Sequence, residues 1–361
     1  MFNSVYNSKS LNDTMQYHIR KLFLHYPQER EPVIALLEAE KIRLDSNLDC
    51  TYGVFDSGDN LLATGSAYTN TLRCIAVRKD QQGEGLLPLL LSELIADRNA
   101  AGFFNLFVYT KIEAAPFFEK LGFYPIASVT ETLVFMENKK AGFQKYLSAL
   151  KADAHHCGRA AAVVMNANPF TKGHRFLIEQ AATASDHLYL FMVSEDSSLV
   201  PFPVREKLIR ENTADIEHIS YCKTGDYLIS SATFPSYFLK DTDDVISVHA
   251  RLDAALFIKI AAALNITDRF VGDEPYSRVT AIYNRVLEEE LAAHGITLHI
   301  IPRVQAAGTP ISASHVRRCL QDGNWKALEA LLPPASLKFF QSAEGAGVLE
   351  RIRQADTVIH Y

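Results

Sequence analysis

The segment Asn166–Ala181 reads NANPFTKGHRFLIEQA, and its residue types and spacing suit phosphate chemistry. It follows the apolar run AAAVVM and opens a helical pattern, so it marks a strand–turn–helix junction. Such a junction aims free backbone N–H groups and the positive end of a helix at an anion. Pro169 fixes the turn, and Gly173 lets a ligand come close to the backbone. His174 in the first helical turn and the Thr171 hydroxyl are placed to donate to a phosphate. Asn166, Asn168 and Phe170 share this turn and join the candidate nucleotide contacts. By itself a histidine near a helix start is more often a surface residue than a ligand. A second element shifts that balance. Ile311-Ser312-Ala313-Ser314-His315-Val316-Arg317 also begins a helix, after an apolar strand pattern at Ile296–Ile301. Ser312 suits the N-cap position and leaves further N–H groups for an anion. Arg317 has the forked guanidinium that grips phosphate oxygens.

Together the two elements resemble the T/HxGH and ISSTxxR motifs of the nucleotidyltransferase superfamily. The resemblance implies a Rossmann-like fold that transfers adenylyl groups from ATP. It gives Thr171 and His174 the phosphates around the reacting α-phosphorus, and Arg317 with Ile311, Ser312 and Ser314 the departing pyrophosphate. Ala313 departs from the usual second serine. Val271-Gly272-Asp273-Glu274 resembles the superfamily's strand end beside the adenosine, which adds Gly272 and Asp273 to the candidates. Tyr283 and Asn284 are weaker candidates near the nucleotide. Mg²⁺ is expected to arrive with the ATP and bridge its phosphate oxygens. No residue is assigned as a protein ligand to a metal.

The first half carries a different pattern. Ile75-Ala76-Val77 leads into Arg78–Leu86, RKDQQGEGL, a strand, a Gly-rich turn and a helix start. Backbone amides of such a turn can bind a pyrophosphate, and Gln82, Gly83 and Gly85 are the candidates. Further on stands FFEKLGF, Phe117–Phe123. In order, the two pieces resemble the Q/RxxGxG/A loop and FYEKLGF ending of GNAT acetyltransferases. Leu87 replaces the last small residue of that loop, which weakens the expectation of ordinary acetyl-CoA binding.

The elements that hold these pieces are legible as alternating patterns. Helical spacing appears at Pro32–Leu44 and Leu86–Asn99, and strands at Thr51–Phe55, Leu61–Tyr68, Leu72–Val77 and Phe103–Thr110. Beyond residue 159, short apolar strands at Ala161–Asn166, Leu188–Val193 and Arg269–Gly272 alternate with helices at Lys172–Ala184, Val204–Thr213, Val245–Leu264 and Tyr276–His294. Alternation of this kind implies a parallel sheet covered by helices. The expected fold class is α/β. A GNAT-like α+β domain spans 1–140 and a linker 141–158, which opens with a short helix at Ala141–Leu150. A Rossmann-like domain with a parallel sheet and a C-terminal helical segment spans 159–361. The boundary itself is expected near residue 155. The 361 residues suit two domains, and 48% apolar with 22% charged residues is an ordinary globular balance. The net charge of −6 argues against a general nucleic-acid binder. No apolar run approaches the ~20 residues of a membrane span. The N-terminal MFNSVYNSKSLND lacks the pattern of a signal peptide. The five cysteines are scattered without metal-ligand spacing, and a reduced, cytoplasmic enzyme is expected.

With the run GDYLISSATFPSYFLK, Gly225–Lys240, the order of motifs resembles the citrate lyase ligase family over nearly the whole chain. That resemblance implies a reaction in which ATP, acetate and a carrier thiol give the acetylated thiol, AMP and pyrophosphate, through acetyl-adenylate. The thiol belongs to the CoA-derived prosthetic group on the acyl carrier (γ) subunit of citrate lyase, and its acetylation switches the lyase on. Ser231, Thr233 and Tyr237 are candidates for the acetate pocket, and the Gln82–Gly85 turn for the carrier arm. Three alternatives stand beside it. An adenylyltransferase acting on a small nucleotide or pantetheine phosphate would not need the long N-terminal domain. An acetate-activating ligase that modifies tRNA fits poorly with the charge of −6 and the lack of a Lys/Arg cluster. A non-catalytic nucleotide-binding regulator would have lost His174 or Arg317.

Overall fold

The computed structural model describes residues 17–129, 131–155, 157–195, 198–228, 234, 242–273, 278–306 and 308–355. The chain forms two compact units that divide between Gly142 and Phe143.

The first unit is built from strands β1 (Tyr17–Leu22), β2 (Cys50–Asp56), β3 (Leu61–Tyr68), β4 (Thr71–Val77), β5 (Phe107–Thr110), β6 (Tyr124–Val129) and β7 (Leu133–Glu137), with helices α1 (Pro27–Ala39), α2 (Leu86–Ala100) and α3 (Ala115–Lys120). Among the described residues its sheet runs β1-β2-β3-β4-β5-β7-β6. Neighbours are antiparallel except β4 and β5, which need a crossover and get it from α2. These two strands pair only through Thr71–Phe107 and Leu72–Val108. A cavity of about 90 Å³ lies beside them, lined by Ile75 of β4 and Val108, Tyr109 and Thr110 of β5. Leu86, Leu90, Leu91 and Leu94 put a buried stripe of α2 against the sheet.

Two elements differ from their sequence expectation for local reasons. Helix α1 begins at Pro27 and carries Pro32 in its interior, so Pro32 is not the start. Buried Val33, Leu36 and Leu37 hold it despite the lost backbone donor. Strand β5 starts at Phe107 because Asn138 takes over the backbone ahead of it. Its Oδ1 accepts from Leu106 N at 2.8 Å, and its Nδ2 donates to Phe104 O at 3.4 Å.

Helix α4 (Gly142–Ala152) lies inside the expected linker, and from Phe143 onward it belongs to the second unit. Phe143 is buried and meets the Tyr227 ring at 4.9 Å, and Tyr146 Oη donates to Lys223 O at 3.0 Å. Those apolar anchors place the segment in the second unit, so the boundary falls before it and not near residue 155. Then follow β8 (Ala160–Met165), α5 (Lys172–Thr183), β9 (His187–Met192), α6 (Phe202–Glu211), β10 (Ile219–Lys223), α7 (Thr242–Leu264), β11 (Ile266–Gly272), α8 (Arg278–Ala292) and β12 (Thr297–Ile301). A small hairpin, β13 (Gln305–Ala306) and β14 (Thr309–Pro310), leads into helices α9 (Ala313–Gln321), α10 (Trp325–Leu331), α11 (Pro334–Gln341) and α12 (Ala346–Gln354).

The sheet of this unit is parallel, in the order β10-β9-β8-β11-β12. Strands β8 and β9 read as nearly continuous apolar runs because both their faces are covered. The chain builds outward from β8 to β10, then returns to lay β11 on the other side of β8. That reversal opens a crevice beyond the carboxyl ends of β8 and β11, the place where such sheets take ligands. The C-terminal helices complete the core through Val316, Leu320, Leu328, Phe340 and Ile352. No helix among the described residues is long and apolar enough to cross a membrane.

Candidate functional site

A cavity of about 330 Å³ occupies this crevice. Five pieces of chain line it: the end of β8 with its turn, the first turn of α5, the end of β11, the segment after β12, and the first turn of α9. From the first motif Asn166, Asn168, Thr171, Gly173 and His174 reach it, and from the second Ile311, Ser312, Ser314 and Arg317. Gly272 contributes from β11. Residues over a hundred positions apart in sequence thus meet because the strand order reverses between β8 and β11.

Local chemistry sets each of them. Thr171 is the N-cap of α5, and its Oγ1 accepts from His174 N at 3.3 Å. In return, His174 Nδ1 accepts from Thr171 N at 3.0 Å, a reciprocal capping box. That bond assigns the ring tautomer: with Nδ1 as acceptor, the neutral imidazole carries its proton on Nε2, as a donor. Burial, joined by the nearby Arg303 charge, pushes the His174 pKa down to about 4. Phe170 is fully buried and stacks on the imidazole at 5.7 Å. It does not line the cavity. Its side chain is a wall behind the histidine, because an apolar ring at the turn sinks into the core. A Cβ on Gly173 would lie 3.4 Å from Ile311 O, an ordinary contact, so protein packing does not demand the glycine. The bare backbone instead keeps the cavity open beside the helix end.

The second motif is held to the first. Ser312 caps α9 by accepting from His315 N at 3.1 Å. Arg317 is buried; its Nη1 donates to Asn168 O at 2.5 Å and its Nη2 to Ser314 Oγ at 3.2 Å. It therefore locks the two motif loops together, and desolvation by burial lowers its pKa. Asn168 Oδ1 accepts from Val200 N at 3.0 Å, which ties the same turn to a third segment.

Other sequence candidates fall elsewhere. Pro169 and Asp273 are not among the lining residues. Asp273 instead uses its backbone: its N donates to Ile301 O at 2.8 Å and its O accepts from Arg303 Nε at 2.9 Å. Tyr283 belongs to a buried network, donating to Asp253 Oδ2 at 2.7 Å beside Arg269, and Asn284 is buried on α8. In the first unit Gln82, Gly83 and Gly85 lie on the turn before α2. Gly83 and Gly85 have positive φ of 94° and 80°, and Gly85 is the helix N-cap. Leu87 is partly buried against the core of that unit. Ser231, Thr233 and Tyr237 lie outside the described residues.

Two cations escaped the sequence reading. Arg303 lines the cavity, with Nε on Asp273 O and Nη1 on Ile311 O at 3.3 Å. Arg205 stands behind the cavity wall and donates to Asn166 O at 3.0 Å and Asn166 Oδ1 at 2.7 Å. Its signal was its place on the buried stripe of α6, with Leu208 and Ile209. A charge at that spacing needs buried acceptors.

The lowered His174 pKa has a checkable sign. Between about pH 4 and ~6.5 the unfolded chain binds a proton on this residue that the folded one does not. Stability is thus unaffected by this group above ~6.5 and falls as pH drops toward 4. In a histidine-selective NMR titration, with His174→Gln to assign the signal, the ring is expected to titrate near 4. Titration near 6.5 would contradict the burial that lowers it.

The fold and site define a doubly wound α/β protein with a cavity at its switch point, lined by two helix N-termini. Residues 160–340 match the family described as citrate lyase ligase C-terminal domain. The chain is 39% identical over 316 residues to the citrate (pro-3S)-lyase ligase of Klebsiella pneumoniae, covering 86% of this chain and 92% of that protein. It is 38% identical over 319 residues to the enzyme of the same name from Escherichia coli, covering 86% and 89%. A solved GNAT-family acetyltransferase from Staphylococcus aureus is similar over 34% of this chain and 99% of its own, at 15% identity and a TM-score of 0.29. The chain belongs to the citrate lyase ligase family, and it is an enzyme.

Proposed function

We propose that the enzyme activates citrate lyase by acetylating it, with ATP and acetate as co-substrates. Acetate attacks the α-phosphorus of ATP to give acetyl-adenylate and pyrophosphate. The thiol of the CoA-derived group on the acyl carrier (γ) subunit then displaces AMP. The observation that carries this reading is the convergence of His174, Thr171 and Arg317 on one cavity at the switch point, in a chain of this family. His174 Nε2 donates to an α-phosphate oxygen, and the N-termini of α5 and α9 receive the remaining charge. Arg317 holds the two loops at the spacing that the triphosphate spans. Mg²⁺ enters bound to the phosphates of ATP and offsets their charge.

Such a site works by holding reactants in line and neutralising charge that grows on the phosphates. No covalent bond to the protein is required. Gln82, Gly83 and Gly85 of the first unit are assigned to the pantetheine arm of the carrier, whose chemistry is that of CoA.

The test is isotope exchange between pyrophosphate and ATP in the full chain. Label is expected to enter ATP only when acetate is present, and without any carrier. Exchange that ignores acetate, or that requires a nucleotide monophosphate or pantetheine phosphate, would replace this reading with dinucleotide synthesis.

A further inference from the structure

The two asparagines of the first motif, Asn166 and Asn168, both line the cavity, and the residue between them is bent. Ala167 has a φ of 50°, in the left-handed region that a residue with a Cβ seldom enters. Such strain persists where the surroundings hold it, and it gathers at functional sites. Asn166 has both ends of its amide taken inside the protein: Nδ2 donates to Ser198 Oγ at 3.0 Å, and Oδ1 accepts from Arg205 Nη1 at 2.7 Å. Asn168 differs. Its side chain meets the backbone N–H of Val200 at 3.0 Å, and an N–H can only donate, so the atom facing it is Oδ1. That contact fixes the amide and leaves both hydrogens of Nδ2 to be used. Among the described residues no acceptor meets Nδ2, and the atom is not closed off from solvent. Asn168 as a whole is only 5% exposed. An open donor on so buried a residue faces the cavity that the residue lines. The described residues of that wall include no carboxylate, so an anionic acceptor has to arrive with the ligand.

The backbone of Asn168 places this donor between the two motifs. Its carbonyl accepts from Arg317 Nη1 of the second motif. Its turn runs on into Thr171, the cap of the helix that carries His174. We infer that Asn168 is a catalytic residue, its Nδ2 donating to the triphosphate of ATP at the link between the α-phosphate and the departing pyrophosphate. This rests on the ATP-dependent reading given above. Charge grows on the oxygen of that link as its bond to the α-phosphorus breaks, and the electron pair leaves with pyrophosphate. A neutral amide, oriented beforehand by Val200, stabilises that charge. The contact strengthens in the transition state, so its loss is read chiefly in turnover and less in the ATP KM.

The experiment compares Asn168→Asp and Asn168→Ala in acetate-dependent pyrophosphate exchange by the full chain, at about pH 8 and about pH 5.5. Aspartate keeps an oxygen for Val200 N but, ionised, donates nothing; alanine loses both. At the higher pH, turnover is expected to fall about 10²–10³-fold in both variants. Toward the lower pH the protonated fraction of an ordinary aspartate, of pKa ~3.9, rises by about two orders of magnitude, and a protonated carboxyl donates again. The rate of Asn168→Asp relative to wild type is therefore expected to rise about tenfold or more, while that of Asn168→Ala stays flat. His174, its pKa lowered to about 4, stays neutral over this range. Near-normal turnover of Asn168→Asp at the higher pH overturns the assignment and leaves Asn168 as a tie to Val200 alone. So does a folded Asn168→Asp that gains nothing at the lower pH. A second measurement uses the unaltered chain: the Asn168 side-chain amide signals in NMR, assigned by their loss in Asn168→Ala, are expected to move when a non-hydrolysable ATP analogue binds. Signals that stay in place also overturn the assignment. Wild-type exchange that ignores acetate overturns the acetate reading, while the same comparison of variants still decides Asn168. A wild-type chain that neither exchanges label nor binds the analogue overturns both.

Discussion

His174→Ala is expected to lower the turnover of acetate-dependent exchange by about 10²–10³, the range for one preorganised donor at a charge that develops in the transition state. In free energy that is ~2.7–4 kcal/mol. The alanine variant mixes two losses, because Nδ1 also caps the Thr171 N–H. A lost cap costs about 0.5–2 kcal/mol of helix stability. His174→Asn separates them. The asparagine Oδ1 stands where Nδ1 stood and keeps the cap, while nothing replaces the Nε2 donor. Its unfolding midpoint should stay near that of the wild type, with turnover as low as in the alanine variant. Steady-state kinetics beside thermal unfolding of both variants decides the matter. Normal turnover in a folded His174→Asn would remove the Nε2 donor from the mechanism.

The parts of this site that are legible in sequence are those whose chemistry is local. A cap, a glycine and a histidine within one turn, as in Thr171–His174, need only the helix they begin. The same holds for Ser312 and Arg317 on α9. Alternating apolar patterns are equally local, and they place β8, β9, β11 and β12 to within a few residues. What is not legible depends on partners far away in the chain. Arg303 follows an edge strand and has no pattern of its own; it reaches the cavity where Asp273 and Ile311 turn their carbonyls toward it. Phe170 looks like a ligand contact because it sits inside the motif, yet its apolar ring finds the core and backs the histidine. The segment 142–152 falls inside the expected linker, but Phe143 and Tyr146 anchor it to the second unit. Edge strands such as β1 and β10 are half-buried and polar, and their pattern is too weak to separate from a turn.

Arg205→Met should destabilise the second unit by about 3–5 kcal/mol, because it leaves several buried carbonyl acceptors without their donor. Arg205 is 1% exposed, and its guanidinium serves carbonyls from three places. Nη1 donates to Asn166 O at the end of β8 and to Val193 O after β9, the latter at 2.7 Å; Nε donates to Val200 O at 3.0 Å; Nη2 donates to Glu195 O. Methionine fills most of the space of the aliphatic stem but donates nothing, so these acceptors lose their partner. Each buried acceptor left unmet costs roughly 1–3 kcal/mol before relaxation, which makes the lower total a conservative figure. Against a total stability of ~5–15 kcal/mol the loss is large. The measurement is direct because the chain has a single tryptophan, Trp325, packed against the core of the second unit. Urea unfolding followed by its fluorescence reports on that unit. Arg205→Lys, which keeps the charge without the fork, should fall between the two. Because Arg205 does not line the cavity, any fall in exchange activity at low urea is passed on by the residues it holds: Asn166 directly, and Asn168 through Val200. A shift of less than about 1 kcal/mol in Arg205→Met would mean that water or neighbouring donors satisfy those carbonyls, and that the cavity wall does not depend on this clamp.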